Sequence, residues 1–352
     1  MKLNKTVQVG DKTIGEGHPV FVVVELGVCH EQNIDVAKHF IDIAKKNGAD
    51  AVKVEAFRAD SFVSDKTIMH TYGTAEGIVE ENYYQLLKKL ELSFDQIAEI
   101  KTYADEKEIL FFSTVHDQED VEFFEEIDVC AYKIASLDML HSPLIKHLCS
   151  KGKPVFMDTG GAYVEEIAKS LKMFKDEGFE NLVLMHNPIG YPAPSDKTDL
   201  RMIPSMQKMF KIPVGLSCHT PGLDMVVASV AIGTNVIEKP ITRNKKLKSP
   251  EHVFSFEDDE AKDFMYKVRN TEICMGNAVR TDIDEKSHAR AKRRGIYIKS
   301  DLQKGHLLTS NDLMYLVPNT GISSEYFQNV LNKKLLKAYV KGEALQEQDL
   351  NE

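Results

Sequence analysis

The chain has 352 residues, of which 43% are hydrophobic and 28% are charged, and its formal net charge is −10. This length suits one large domain and a small one. The acidic balance disfavours nucleic-acid binding, which needs a basic surface. No apolar run approaches the roughly 20 residues of a membrane helix, so no membrane partner is expected. The first residues lack a signal-peptide pattern, which predicts a cytoplasmic protein.

The cysteines indicate reduced thiols rather than cross-links. Their number is odd, their spacing is wide and no CxxC motif occurs, which disfavours a disulfide framework or a zinc cluster. We expect most of them to be small core residues. They are Cys29, Cys130, Cys149, Cys218 and Cys274.

Eight short apolar runs alternate with helical patterns, which is typical of parallel α/β proteins. The predicted strands are Val20–Glu25, Ala51–Val54, Ile109–Ser113, Cys130–Ile134, Val155–Asp158, Leu182–His186, Val214–Ser217 and Asn235–Lys239. Eight such units within about 250 residues predict a (β/α)₈ TIM barrel over residues 1–275. An open doubly wound sheet is the alternative, although no GxGxxG motif follows the first strand.

Helix ends are marked between these strands. Apolar residues recur at helical spacing from Ile34 to Ala44, before an Asn47-Gly48 stop. Ser93 and Gln96 form a plausible capping box for a later helix.

Two segments interrupt the alternation. Residues 56–92 form a long excursion with several aromatic side chains, namely His70, Tyr72, Tyr83 and Tyr84. Such a loop either carries specificity or is a plain surface insertion. Residues 276–290 are polar and predict a linker. They precede a β-rich module, 291–352, with β-like runs at Gly295–Lys299, Leu313–Val317 and Leu336–Val340.

Polar side chains lie where the predicted strands end, which is the active face of a barrel. Lys53 and Lys133 lie inside apolar strands, where an unpaired charge is costly to bury. Together with nearby hydroxyls they predict a phosphate or carboxylate site. Structural ion pairs with Glu25, Glu55 or Glu238 are the alternative, and a Schiff base on Lys133 is competing chemistry. His219 is a candidate metal ligand, acid–base group or plain hydrogen-bonding residue.

Several of these stretches resemble the N-acetylneuraminate (sialic acid) synthase family, which includes legionaminic and pseudaminic acid synthases and spore coat polysaccharide synthase relatives. They are Val24–Glu31, Gly48–Lys53, Phe112–Thr114, Ala131–Ser136, Tyr191–Pro194 and Gly215–Thr220. The tail, from Lys304-Gly305 to Asp349-Leu350, resembles the antifreeze-like (SAF) domain of that family. The resemblance covers nearly the whole chain in order.

The resemblance implies a condensation of phosphoenolpyruvate with an open-chain N-acetylated amino sugar, which gives a nine-carbon 2-keto-3-deoxy acid and phosphate. It also implies a divalent metal, manganese or magnesium, and a domain-swapped homodimer. By position, phosphoenolpyruvate would be held by Lys53, Thr114, Lys133, Ser136 and Ser217.

The resemblance further implies roles for residues around the sugar. Glu31 and Asp138, with Lys133, are the catalytic candidates that hold or protonate the sugar and the attacking water. Tyr191 and Glu251 would bind the sugar, and His219 would bind the metal.

The sequence departs from the family pattern at positions where the resemblance implies metal and phosphate binding. Pro240 stands where the second metal histidine is expected, so Glu238, His186 or Asp158 would have to help His219. Asp158 also replaces a phosphate-binding hydroxyl, so at the substrate it would need Lys133 or a metal as its partner.

Other departures change the predicted acceptor pocket. Glu55 replaces a Gln, Ile189 an Asn, and Val317 an Arg that binds the N-acetyl group. Three hypotheses follow: a divergent synthase, a non-catalytic or regulatory homologue without the metal, and a Schiff-base aldolase.

Overall fold

The computed structural model describes residues 3–279 and 292–351 and divides the chain into two compact units, Met1–Gly276 and Asn277–Glu352. Most of the predicted linker, residues 280–290, lies outside the described residues. No helix among the described residues is both long and apolar enough to cross a bilayer. All five cysteines carry free thiols.

The larger unit contains thirteen strands and ten helices. In chain order they are β1 (Thr6–Val9), β2 (Lys12–Gly15), β3 (Phe21–Gly27), α1 (Ile34–Asn47), β4 (Ala51–Glu55), α2 (Ala59–Phe62), β5 (Met69–Thr74), β6 (Gly77–Asn82), α3 (Tyr83–Leu90), α4 (Phe94–Glu106), β7 (Leu110–Thr114), α5 (Gln118–Glu126), β8 (Tyr132–Ile134), α6 (Ser142–Lys151), β9 (Val155–Asp158), α7 (Val164–Asp176), β10 (Leu182–His186), α8 (Met202–Phe210), β11 (Val214–Ser217), α9 (Asp224–Ala231), β12 (Val236–Thr242), β13 (Phe256–Glu257) and α10 (Ala261–Met275).

Eight parallel strands close into a barrel, which confirms the predicted fold class. The strand order is β11–β10–β9–β8–β7–β4–β3–β12, and β11 also pairs with β12. This second pairing closes the sheet and excludes the open doubly wound alternative. Each predicted strand overlaps one of these eight strands.

The structure confirms the predicted end of α1 and the predicted start of α4. Gly48 follows α1 with φ 84°, a conformation that glycine adopts at no steric cost, and its N–H donates to the Ala44 carbonyl. Ser93 and Gln96 form both hydrogen bonds of a capping box at the start of α4. These caps satisfy backbone groups that a helix end leaves unpaired.

The inside of the barrel is built in two layers, because alternate residues of a strand point to the same face. The lower layer is apolar and includes Phe21, Phe112 and Phe156, which stack on one another. Val7 and Ile14 of the β1–β2 hairpin pack against this layer. Further along the same face, Thr114 follows Phe112 and Asp158 follows Phe156 by two residues, and Glu25 follows Phe21 by four. These residues belong to a polar layer, so the hairpin and the aromatic rings support the floor of the site.

The excursion after β4 is an ordered part of the larger unit. Its antiparallel hairpin β5–β6 leads into α3, and its residues share an apolar cluster that includes Phe57, Tyr72 and Leu86. The Gly73 N–H donates to the Tyr191 carbonyl at 2.6 Å. The hairpin is therefore fixed to the loop that follows β10.

The smaller unit has its own apolar core. Strand β14 (Gly295–Ile298) pairs antiparallel with β15 (Leu313–Leu316), and a short helix, α11 (Phe327–Val330), follows. The prediction of a strand at Leu336–Val340 is wrong. That segment takes part in one isolated bridge, between Leu302 and Tyr339, and its other residues form no strand.

Candidate active site

A polar layer lies above the apolar floor of the barrel. Its members come from neighbouring strands, and the register brings Glu25 of β3 beside Lys53 of β4, and Ser217 of β11 beside Glu238 of β12. All are at most 5% exposed. Buried charges persist only where they are paired.

Lys133 of β8 is at the centre of this layer. Its ammonium forms an ion pair with Glu238, lies 3.0 Å from Asp158 Oδ2 and 3.4 Å from Ser217 Oγ. The Ser217 hydroxyl in turn donates to Glu238 Oε1 at 3.1 Å. The lysine is therefore held by two carboxylates and a hydroxyl from three other strands.

Lys53 occupies a similar position on β4. It forms an ion pair with Glu25, donates to Thr114 Oγ1 at 3.1 Å and lies 3.8 Å from Glu238 Oε1. Glu238 therefore lies between the two lysines. The structure therefore agrees in part with both predictions for the lysines. Each lysine is ion-paired, as the structural alternative predicts, and each lies beside a hydroxyl, as an anion site requires.

The shared burial shifts the carboxyl groups in different directions. Burial and the nearby Glu238 raise the pKa of Glu25 to about 8, against the opposing effect of Lys53. Burial likewise raises the pKa of Asp158 to about 6, although Lys133 lowers it. Burial would also raise the pKa of Glu238, but Lys133 and Lys53 outweigh it and hold that pKa below its usual value. The two lysines thus favour the ionised form of Glu238, whereas burial shifts Glu25 toward its protonated form.

The layer forms the floor of a cavity of about 400 Å³ at the carboxyl end of the barrel. Most of the predicted substrate residues line it, together with several that the sequence did not single out. The predicted residues are Lys53, Thr114, Lys133, Ser136, Asp158, Tyr191, Ser217, His219, Glu238 and Glu251. The size suits a small-molecule substrate site.

Backbone and amide groups complete one wall. The Gly160 N–H donates to Ser136 Oγ at 2.9 Å, and a Cβ at Gly160 would approach that oxygen to 2.7 Å. The Asn187 amide donates to Asp158 Oδ2 at 3.0 Å. The sequence singles out Glu25 only as an ion-pair candidate and does not single out Asn187. The signal that could have placed them in the cavity is their position two residues after the inward-facing Val23 and Met185.

The excursion supplies part of the rim. Phe62 and Tyr83 line the cavity together with Tyr191. His70 stacks on the Tyr83 ring with centroids 5.0 Å apart and meets the Tyr191 ring edge-on at 6.4 Å. Residues 56–92 therefore form a wall of the site, which favours the specificity interpretation over a plain surface insertion.

Two of the predicted catalytic residues lie away from the cavity wall. Glu31 is on the loop after β3, where it pairs with Arg243 at 2.6 Å. The Asp138 carboxylate receives a 2.6 Å hydrogen bond from His116 Nδ1 and lies 3.7 Å from His141. Neither is among the lining residues, so the third candidate, Lys133, is the one that the cavity contains.

His219 follows β11, with its ring tilted against Tyr191 at 4.8 Å and Phe254 at 5.2 Å. Burial and the nearby Lys133 lower its pKa to about 3, so the imidazole is neutral. Lys239, buried in β12, donates to the carbonyls of Thr220 and Phe254 and fixes both sides of this stack.

The metal implied by the resemblance needs several converging ligands. Glu238 and Asp158 are bound by Lys133, and His186 Nε2 is hydrogen-bonded to the Thr198 carbonyl at 2.6 Å. Within 3–279 and 292–351, no three His, Cys, Asp or Glu side chains converge as a metal site requires. Pro240, on the cavity wall, supplies no donor. The residues present therefore do not fit a divalent ion, and the predicted helpers of His219 have other partners.

Comparison with known proteins agrees with this architecture. Residues 40–280 match the NeuB family. The chain is 33% identical to an uncharacterized protein of Methanocaldococcus jannaschii over 94% of each chain. It is 31% identical to the N,N'-diacetyllegionaminic acid synthase of Campylobacter jejuni, over 93% of this chain and 98% of the relative.

A solved structure is also similar over nearly the whole chain. The spore coat polysaccharide biosynthesis protein SpsE of Bacillus subtilis superimposes with a TM-score of 0.66 at 26% identity, over 99% of both chains. The family match covers the strands that carry both lysines, Asp158 and Glu238. The chain therefore belongs to the NeuB family and is a carbon–carbon bond-forming transferase of the sialic acid synthase type.

Proposed function

We propose that this protein condenses phosphoenolpyruvate with an open-chain amino-sugar aldehyde, giving a nonulosonic 2-keto-3-deoxy acid and inorganic phosphate. We also propose a cytoplasmic location, an antifreeze-like (SAF) fold for residues 291–352, with 276–290 as the linker, and a domain-swapped homodimer. The synthase activity of the legionaminic acid relative supports the reaction class.

The observation that carries the proposal is the pair of lysines on the cavity floor with hydroxyls beside them. Lys53 is next to Thr114, and Lys133 is next to Ser217. Ammonium groups and hydroxyls together match the phosphate and carboxylate of phosphoenolpyruvate. Ser136 and the Gly160 N–H add two further polar groups on the same wall.

The reaction forms one carbon–carbon bond and breaks one ester bond. Carbon 3 of phosphoenolpyruvate attacks the aldehyde carbon, and the aldehyde oxygen takes up a proton. Water then adds at carbon 2, and the resulting hemiketal phosphate loses inorganic phosphate to leave the ketone. The protein must therefore hold two anionic groups, supply a proton and admit one water.

The layer provides groups for each of these tasks. Lys53 and Lys133 hold the anionic groups and counter the negative charge that remains on the departing phosphate. Glu25 lines the cavity, and burial raises its pKa to about 8, so this carboxyl can take up and donate a proton near neutral pH. The Tyr83 phenol is also a donor, because burial and the nearby Glu55 raise its pKa to about 12.

Phosphoenolpyruvate must displace existing partners of the lysines. Asp158 is the partner that the substrate can displace from Lys133. Its pKa of about 6 lets it take up a proton when an anion approaches Lys133. A protonated Asp158 changes from a competitor of the phosphate into a hydrogen-bond donor. This accounts for a carboxyl at a position where relatives carry a hydroxyl.

The two other hypotheses have less support. A Schiff-base lysine must be neutral, yet Asp158 and Glu238 outweigh burial and raise the pKa of Lys133. A non-catalytic homologue would have no need of an intact buried layer, and unpaired members of such a layer are costly.

Phosphate release from phosphoenolpyruvate tests the proposal. We expect release only when an amino-sugar aldehyde is present, and a product that gains the three-carbon unit by mass spectrometry. Lys53→Met removes the ammonium at similar side-chain length and should abolish release. Glu80→Gln, on an exposed edge of the hairpin, is the matched control and should leave release unchanged. Absence of release across a broad panel of aldehydes would overturn the proposal.

A further inference from the structure

The cavity contains more negative than positive side chains. Its charged lining residues are Glu25, Lys53, Glu55, Lys133, Asp158, Glu238 and Glu251. Two ammonium groups thus face five carboxyl groups before an anionic substrate enters. Unneutralised charge at this depth is unfavourable, so the balance must be restored by protons or by a cationic ligand.

Three of the five carboxyl groups have lysine partners. Glu25 pairs with Lys53, Asp158 pairs with Lys133, and Glu238 contacts both lysines. In the part of the chain that the structure describes, Glu55 and Glu251 take part in no ion pair within the salt-bridge distance. The excess negative charge is therefore located at these two residues.

Glu251 is held in the cavity wall by the backbone of another loop. The side chain is 7% exposed, and Oε2 accepts a hydrogen bond from the Val28 N–H at 3.0 Å. Gly27 makes this approach possible, since a Cβ there would lie 1.9 Å from the same oxygen. This carboxyl is thus placed by a dedicated contact.

Glu55 contributes to the electrostatic environment of Glu251. Burial and then repulsion from Glu55 raise the pKa of Glu251 to about 7, while Lys53 and the Val28 N–H act in the opposite direction. Both residues line the same cavity, and carboxyl groups that repel each other favour a positive charge close to both.

The geometry points to an acceptor that carries a free ammonium group, which binds between Glu55 and Glu251. This inference rests on the proposed function and gives it an acceptor class: an amino-sugar aldehyde with an unsubstituted amine. An N-acetyl group is neutral and would leave both carboxylates uncompensated next to phosphoenolpyruvate.

A second observation also calls for a ligand with hydrogen-bond donors. Asp158 and Glu238 line the cavity and are at most 5% exposed, and among the described residues Asp158 Oδ1 and Glu238 Oε2 have no hydrogen-bond partner. Phosphoenolpyruvate carries only acceptors and cannot satisfy them. The hydroxyl and ammonium groups of an amino sugar can.

The rim favours the same chemistry. Tyr83 and Tyr191 line the cavity, and aromatic rings attract ammonium groups. His219 also lines the cavity, and within the described residues its buried Nδ1 has no hydrogen-bond partner, so this atom is available to the incoming group. A divalent ion would be the other source of positive charge, but the described side chains offer no group of three ligands for one.

Calorimetric binding to the full-length protein tests this inference. The probes are 2-amino-2-deoxyhexoses of gluco, manno and galacto configuration, each compared with its N-acetyl counterpart. We expect at least one free amine to bind at least about tenfold more tightly than its N-acetyl partner. Glu55→Gln should remove that preference, and Glu80→Gln should preserve it.

Proton release provides an independent readout. A cation close to the two carboxyl groups lowers the pKa of Glu251, so this carboxyl should release up to about half a proton when the ammonium form binds at pH 7. The fraction of neutral amine that is protonated on binding reduces the net release. The N-acetyl sugar should release none. The binding enthalpy measured in buffers of different ionisation enthalpy reports this difference.

The outcomes separate the inference from the proposed function. Amine binding that depends on Glu55, without phosphate release, upholds the inference and overturns the synthase proposal. Phosphate release with an N-acetyl sugar, without preferential amine binding, does the reverse. Equal binding of each pair, or no binding of any amine, overturns the inference.

Discussion

The ammonium of Lys133 lies 3.0 Å from the carboxylate of Asp158, at the level of the barrel where the proposed substrate anion would bind. In the protein without substrate, Lys133 is therefore ion-paired with this carboxylate. Asp158 is the side chain whose protonation state decides whether Lys133 can accept another anion, and this leads to the first prediction.

Asp158→Asn should change the pH dependence of phosphoenolpyruvate binding. In the unchanged protein, Asp158 is ionised above its pKa of about 6 and competes for Lys133, so affinity should fall as pH rises through that value. The loss should approach about tenfold per pH unit for one competing proton. Calorimetry from about pH 5 to pH 8 would show this decline, and the Asn variant should lack it.

The matched control for this prediction is Asp196→Asn, at an exposed position of the loop after β10. It should keep the decline. A common slope in all three proteins would assign the pH dependence to the ligand rather than to Asp158.

Lys133→Met should destabilise the fold as well as abolish turnover. It leaves Asp158 and Glu238 buried without their ammonium partner, and breaking such a pair costs about 3–5 kcal/mol. Denaturant unfolding would measure the loss. Adding Glu238→Gln to Lys133→Met should cost less than the two single changes together, since it removes one unpaired charge. Additive losses would contradict the coupling of these residues.

Gly27→Ala should displace Glu251. The new Cβ would lie 1.9 Å from the carboxylate, at a φ of +49° that disfavours side chains. We expect a loss of about 1–3 kcal/mol of stability and weaker acceptor binding. Gly48→Ala is the matched control, because it also has positive φ but no atom within 4 Å. The control should lose stability without losing acceptor affinity.

Dialysis against a chelator should leave phosphate release within about twofold of its starting value, because the side chains present do not assemble a ligand set for a catalytic divalent ion. The assay would be repeated after re-addition of manganese or magnesium. A large loss on chelation that manganese restores would show that the cavity rearranges to bind an ion.

Borohydride treatment in the presence of a keto acid should leave Lys133 unmodified. Asp158 and Glu238 keep its amine protonated in spite of burial, and only the neutral amine forms a Schiff base. Peptide mass spectrometry would detect a reduced adduct. Its appearance at Lys133 would favour the aldolase hypothesis.

Much of the site was predictable because a strand has a simple period. Phe21, Val23 and Glu25 alternate with outward-facing residues, so the inward position of Glu25 follows from the sequence of β3. The same alternation places Lys133 inside the barrel. The position of Glu31 did not follow, because its loop turns toward Arg243 and no period governs that turn.

The sequence by itself determined the eight strands, the caps of α1 and α4 and the set of polar residues at the strand ends, because these depend on local spacing. The tertiary structure alone decided the partners. Closure of β12 onto β3 and β11 brings Glu238 between both lysines, and Glu251 reaches the cavity from beyond the last barrel strand. Such contacts join residues far apart in the chain, so they follow from the register of the closed barrel. The sequence therefore predicts Lys133 as a buried cation, but it does not predict that Lys133 pairs with both Asp158 and Glu238.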